Sequence, residues 1–131
     1  GPLVTENVVK VLKANVWSVA TCSDVPNVVP VGFKDVTEDG LLVVGDVMMD
    51  TTMKNVQANG KIAISAFDPK TSEGYQVKGT AVYQTEGPVV DALREKAMAV
   101  FQGAMTVKGA LVITPDKVIV TSPGPDNKKV L

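Results

Sequence analysis

The sequence predicts a mainly β domain of about seven antiparallel strands, closed into a small barrel, with short helices beside it. Three observations predict it. Segments rich in β-branched residues with a period of two recur between turn signals along most of the chain. Only three stretches carry the three-and-four spacing of an amphipathic helix. The length, 131 residues with 45% hydrophobic and 21% charged, is that of one domain, and an apolar sheet this small gains by losing its edges.

Taken in order, Thr5 to Asn15 predicts a short helix, with Thr5 as N-cap and Val8, Val9 and Leu12 on one face. Val16 to Cys22 and Val25 to Phe33 read as strands, with Pro26 and Pro30 marking the second as an edge or bulged strand. Glu38-Asp39-Gly40 turns the chain into the strand Leu41 to Gly45, completing a meander of three strands. Thr51 to Asn59 predicts one short helix, ended by Gly60. The strand Lys61 to Phe67, a solvated loop over Asp68 to Gly74, and a long half-buried strand from Tyr75 to Thr85 follow. Pro88 opens the longest helix, whose stripe Val90, Leu93, Ala97, Val100 and Phe101 runs to about Gly103. Val107 to Thr114 and Val118 to Ser122 predict two last strands around the turn Pro115-Asp116-Lys117. Residues 124–131 form a polar tail, either disordered or laid across a partner. A single domain thus spans 1–131, and Gly1-Pro2 reads as a cloning remnant.

Charge and composition exclude several functions. Thirteen Lys and Arg against fourteen Asp and Glu leave a net charge of −1, which gives no electrostatic footprint for nucleic acid or an anionic membrane. The longest apolar runs fall far short of the roughly 20 residues of a membrane-spanning helix. One cysteine, Cys22, makes no internal disulfide, and with no signal-peptide pattern the expected compartment is the cytoplasm. Histidine is absent, so no Ser-His-Asp triad, Cys-His pair or Cys/His zinc site can be built from this chain. Any chemistry must come from elsewhere.

Phosphate-binding motifs are equally scarce. Gly60-Lys61-Ile62 lacks the hydroxyl and upstream glycine of a Walker loop, and no Gly-x-Gly-x-x-Gly opens a helix. Gly45 to Asn55 leaves a strand and enters a helix whose first turn offers free N–H groups, the hydroxyls of Thr51 and Thr52, and Lys54. That is either an anion site or a helix that Thr51 merely caps. Asp46 and Asp50 flank this segment and suit a hydroxyl or backbone contact better than a phosphate. Glu38, Asp39, Asp68, Asp91 and Glu95 read as solvated charges. Trp17, Cys22, Met98 and Met105 read as core.

The order of these parts resembles a known family. Val25-Pro26-Asn27-Val28-Val29-Pro30-Val31-Gly32-Phe33, then Asp39-Gly40-Leu41, then Thr52 to Ala63, then Gly74 to Ala81, and the closing Gly109-Ala110-Leu111-Val112-Ile113-Thr114 resemble the pyridoxamine 5′-phosphate oxidase-like FMN-binding split-barrel superfamily, in particular its small flavin-nucleotide-binding proteins. The resemblance covers nearly the whole chain. It implies a six- to seven-stranded antiparallel split β-barrel with short flanking helices, homodimeric, with FMN at the subunit interface. It places Pro30, Val31 and Gly32 along the flavin ring, and Asp46, Val47, Met48 and Met49 around the ring and ribityl chain. Thr51, Thr52 and Asn55 would stand at or near the phosphate. The sequence departs from the family at Thr51 and Thr52, where many relatives carry Lys or Arg. Hydroxyls and backbone amides would then hold the phosphate without an ion pair, which weakens FMN binding unless Lys54 or Lys108 compensates. Full-length oxidases bind pyridoxamine phosphate through basic and His residues near the C-terminus, which Asn127-Lys128-Lys129-Val130-Leu131 does not match, so vitamin B6 activity does not carry over.

The resemblance also answers the missing histidine, because a flavin brings its own electron and hydride chemistry. It implies an FMN-dependent redox protein, with NAD(P)H or a redox protein as donor. Two other classes stay open: a non-catalytic store or carrier of a flavin or deazaflavin, and a cofactor-free dimeric scaffold.

Overall fold

Alternation decides the first hairpin. Trp17, Val19 and Thr21 are buried while Ser18 and Cys22 face solvent, and the chain returns over Pro26–Val31 in register, Trp17 opposite Val31 and Cys22 opposite Pro26. The computed structural model describes residues 3–131; Gly1 and Pro2, read above as a cloning remnant, lie outside the described residues. Helix α1 (Glu6–Ala14) leads into β1 (Trp17–Cys22), β2 (Pro26–Val31), β3 (Lys34–Val36) and β4 (Leu42–Asp46). Helix α2 (Thr51–Asn59), β5 (Lys61–Asp68), β6 (Glu73–Gln84), α3 (Pro88–Phe101) and β7 (Gly109–Val120) complete the chain.

The seven strands form one antiparallel sheet in the order β2-β1-β5-β6-β7-β4-β3, curled into a half-barrel. The expected mainly β split barrel is thus the observed fold. The expected three-strand meander is not. β2 and β4 stand near opposite ends of the sheet, and β4 pairs instead with β3 and β7. Only Gly32 and Phe33 separate β2, at one edge, from β3, at the other.

The inner face of the sheet carries the main core, in which Trp17, Val19, Leu42, Val44, Ile64, Val77, Leu111, Ile113 and Val118 are all but inaccessible. α1 closes one end of it with Val8, Val11 and Leu12, and Trp17 Nε1 satisfies the helix's C-terminal carbonyl by donating to Leu12 at 2.7 Å. A second cluster joins α3, through Val90, Leu93 and Ala97, to Val43, Ala110 and Val112 on the other face of β4 and β7. α2 runs over its expected span and ends at Gly60, whose φ of +70° is the left-handed cap that glycine adopts without strain.

Four expectations need correction. Cys22 is exposed, because β1 alternates and Trp17 fixes its inward face five residues earlier. Met98 is also exposed, lying one position past the buried Ala97 on the solvent side of α3. The last two strands are one: β7 runs through Pro115, and the ladder absorbs it by a register shift at Lys78/Gly79. The tail is ordered and lies back on the chain's own sheet. Lys128 N–H donates to the Val120 carbonyl, Val120 N–H to Lys129 and Leu131 N–H to Val118, so residues 128–131 cover the side of β7 that β4 leaves unpaired.

Candidate functional site

The sheet's split is filled at one end by the segment after β4. β4 ends at Asp46, which is buried. One carboxylate oxygen accepts the Met49 N–H at 2.8 Å and closes a tight turn; the other accepts the Tyr83 hydroxyl at 2.5 Å. Burial first, then that hydrogen bond and the carboxylate's charge, push the Tyr83 phenol up to about 12. The backbone of Asp46 is held as well, its carbonyl accepting the Lys108 N–H at 2.9 Å. The turn sends Val47 and Met49 inward and leaves Met48 80% exposed.

α2 begins at Thr51, so Asp50 takes the capping position that Thr51 could have held, without making a side-chain cap. Its carboxylate reaches Lys54 Nζ at 2.9 Å instead, and the resulting hydrogen bond and attraction raise the Lys54 pKa. Thr52 is buried, and its hydroxyl oxygen accepts Asn27 Nδ2 at 3.3 Å, tying α2 to β2. Asn55 is also buried and donates to Thr21 Oγ1 at 3.1 Å, tying the same helix to β1.

Between these elements lies a cavity of about 460 Å³, inside the range of about 300–1,000 Å³ typical of small-molecule and cofactor sites. β2 forms one wall with Asn27, Val29, Pro30 and Val31, continued by Gly32; Val47 to Thr52 form the other. Phe33, Gly45, Phe101 and Met105 complete the lining. Phe33 and Phe101 meet with ring centroids 5.2 Å apart at 54°, and the Phe33 ring occupies the space above Gly45 that any Cβ would need.

Eight of the residues expected at a cofactor meet around this cavity: Pro30, Val31, Gly32, Val47, Met48, Met49, Thr51 and Thr52. Asp46 and Asn55 stand behind it, shaping the turn and anchoring the helix. Lys108 is exposed just before β7 and outside the lining. Sequence reasoning missed Phe33, Gly45, Phe101 and Met105 as lining residues. Phe101 and Met105 looked like core, and a stripe on α3 cannot tell a core from a cavity wall.

The cavity is apolar along its length and polar at the α2 end, where Asn27, Asp50, Thr51 and Thr52 gather. Asp50 is its one titratable lining side chain among the described residues. Such a site can grip a flat apolar body and a hydroxylated tail, and it holds no acid/base pair. Among the described residues no group of three or more His, Cys, Asp or Glu could hold a metal, and no helix is long and apolar enough to cross a membrane.

Comparison with known proteins gives a consistent set. A family model described as pyridoxamine 5′-phosphate oxidase matches residues 4–123. An uncharacterised protein of Methanocaldococcus jannaschii is 33% identical over 132 residues, which span 98% of this chain and 87% of that protein. Among solved structures, HupZ of Group A Streptococcus is similar with a TM-score of 0.81 and 27% identity, over 93% of this chain and 97% of that one. An FMN-binding protein from Syntrophomonas wolfei has a TM-score of 0.80 at 17% identity, over 94% of this chain and 88% of that one.

Proposed function

From the chain's membership of the pyridoxamine 5′-phosphate oxidase family, we propose that it is an FMN-binding flavoprotein of redox or electron transfer, working as a homodimer with flavin at the subunit interface. The observation that carries this reading is the cavity between β2 and the Val47–Thr52 segment: apolar on both sides, hydroxyl- and amide-bearing at one end. Solved proteins of the same fold, described as FMN-binding, FAD-binding and F420 reductase, support a flavin-type ligand.

Bound flavin would supply the hydride and electron chemistry. The chain's residues bind and orient. Pro30, Val31 and Gly32 offer a flat, apolar strand edge to the ring, and Val47, Met48 and Met49 cover it from the opposite side. Thr51 and Thr52, with Asn27, meet the ribityl and phosphate end. Asp46 and Asn55 act from behind by fixing the turn and α2, and Lys108 lies farther out. Two features support a second copy: Val28 is 64% exposed beside Pro30, and Met48 stands over the cavity mouth. A partner laid on this rim would cover both and exclude water.

The lone, exposed Cys22 suits the reducing cytoplasm. The absence of a titratable pair in the lining favours electron transfer over side-chain catalysis, with NAD(P)H or a redox protein as donor. The test is the spectrum of the purified chain titrated with FMN. Flavin absorbance or fluorescence quenching is expected, and a colourless sample that leaves FMN fluorescence unchanged overturns the reading. Bleaching by NADH or NADPH with reoxidation in air marks an enzyme; bleaching only by dithionite or a protein donor marks a carrier. Sedimentation as a monomer contradicts the shared site.

A further inference from the structure

Phe33 lies in the short link between β2 and β3, outside both strands, and its ring is part of the cavity wall. Three neighbours hold that ring. It fills the place of a side chain on Gly45, and it meets the Phe101 ring with centroids 5.2 Å apart. The third neighbour is Lys96, whose amine stands 5.8 Å from the centre of the ring, within the roughly 6 Å at which a cation is drawn to an aromatic face. Gly45 and Phe101 belong to the lining; Lys96 does not.

The amine is itself fixed in place. It donates to the carbonyl of Lys34, the residue after Phe33, at 3.0 Å, and lies 3.7 Å from Asp35 Oδ2. Asp35 is shared with Lys13 at 3.9 Å, and all three side chains are about half exposed, so these ion pairs by themselves contribute little. What Lys96 alone does is bring a charge from α3 against the Phe33 ring while holding the backbone beside it. Phe101 reaches the same ring from five residues farther along the same helix.

On the reading that the cavity holds a flavin, we propose that Lys96 is a positioning residue for that site: from outside the lining, it keeps the Phe33 ring in the cavity wall. Without the cation the ring is free to turn, and binding must then order it, at a cost on the scale of one immobilised side chain.

The test titrates FMN into the full chain freed of flavin, following flavin fluorescence. Lys96→Met keeps the apolar stem and removes the charge; it is expected to weaken FMN binding about fivefold. Lys96→Arg keeps a cation and a donor and is expected to bind within about twofold of the parent. In a Phe33→Leu chain, which has no ring to hold, adding Lys96→Met is expected to change the affinity by less than about twofold, because coupled residues do not add. Parent-like binding by Lys96→Met, failure of Lys96→Arg to restore it, or a loss that persists in the Phe33→Leu chain overturns the inference while leaving flavin binding by the parent intact. If Phe33→Leu fails to fold, Lys96→Met and Lys96→Arg still decide, since they change a half-exposed side chain. Failure of the parent to bind FMN overturns the flavin reading itself, and this inference with it.

Discussion

The ring of Phe33 lies where a side chain on Gly45 would stand: a Cβ on Gly45 would be 2.6 Å from Phe33 Cε2, while the Gly45 N–H donates to the Phe33 carbonyl at 3.1 Å. Backbone and ring are thus fixed together in the lining of the cavity. Gly45→Val must push the ring off β4 and disturb its packing on Phe101. The expected cost is about 1–3 kcal/mol, the usual range for overpacking, together with weakened flavin binding. Thermal melts paired with a flavin titration check it. A variant that melts and binds like the parent would mean that the ring moves aside freely.

Asp46 serves two donors at once, the Met49 N–H and the Tyr83 hydroxyl. Asp46→Ala leaves both unpaired in a part-buried place and is expected to cost about 2–6 kcal/mol, from roughly 1–3 for each orphaned group. Tyr83→Phe removes one bond and is expected to cost about 1 kcal/mol. The double variant should be less unstable than the sum, because the two side chains share one interaction. Urea unfolding of the set decides; an Asp46→Ala protein as stable as the parent would show that water replaces the carboxylate.

The two tyrosines report on alkaline pH. Burial foremost, and hydrogen bonds to Glu73 and Asp46, push Tyr75 and Tyr83 from the ordinary 10 up to about 12. The folded state therefore holds these protons more tightly than the unfolded one. Their contribution to stability is complete below pH 10 and is lost as the pH climbs from about 10 to about 12. Phenolate absorbance should rise near 12 in the folded chain and near 10 in denaturant; a folded midpoint near 10 would contradict the two contacts.

Removal of residues 126–131 takes away three backbone hydrogen bonds to Val118 and Val120 and the Asn127 amide's bonds to Thr121 and Ser122. A loss of up to about 5 kcal/mol is expected, at roughly 1 for each of these bonds. The bared side of β7 should also raise self-association. Melting and light scattering measure the two effects, and a truncated chain unchanged in both would make the tail dispensable.

Much of the fold was legible because its strands alternate and its helices are punctuated. Gly60, Pro88 and the Glu38-Asp39-Gly40 turn mark where segments change, and the structure changes there. β3 was hidden by Lys34 and Asp35, two charges in a three-residue strand. Lys34 is nevertheless buried, donating to the Lys13 carbonyl at 3.1 Å with its amine 5.6 Å from the centre of the Trp17 ring, and desolvation pulls its pKa down. Pro115-Asp116-Lys117 imitated a turn, and only the partner strand's register shows how β7 continues through it. The contiguous parts of the site could be read from local order, but Phe101 and Met105 arrive by the packing of α3, a long-range event with no local signature.

Gly32 and Phe33 carry one more consequence. They join the sheet's two unpaired edges directly, and three peptide links, from Val31 to Lys34, reach at most about 11 Å. At this point the half-barrel is clasped by covalent bonds. Spreading the edges is therefore not a way to enlarge the opening beside them. A ligand thicker than the gap must be admitted from the flank, where the exposed Met48 and Asp50 stand on the turn that the Asp46 carboxylate closes.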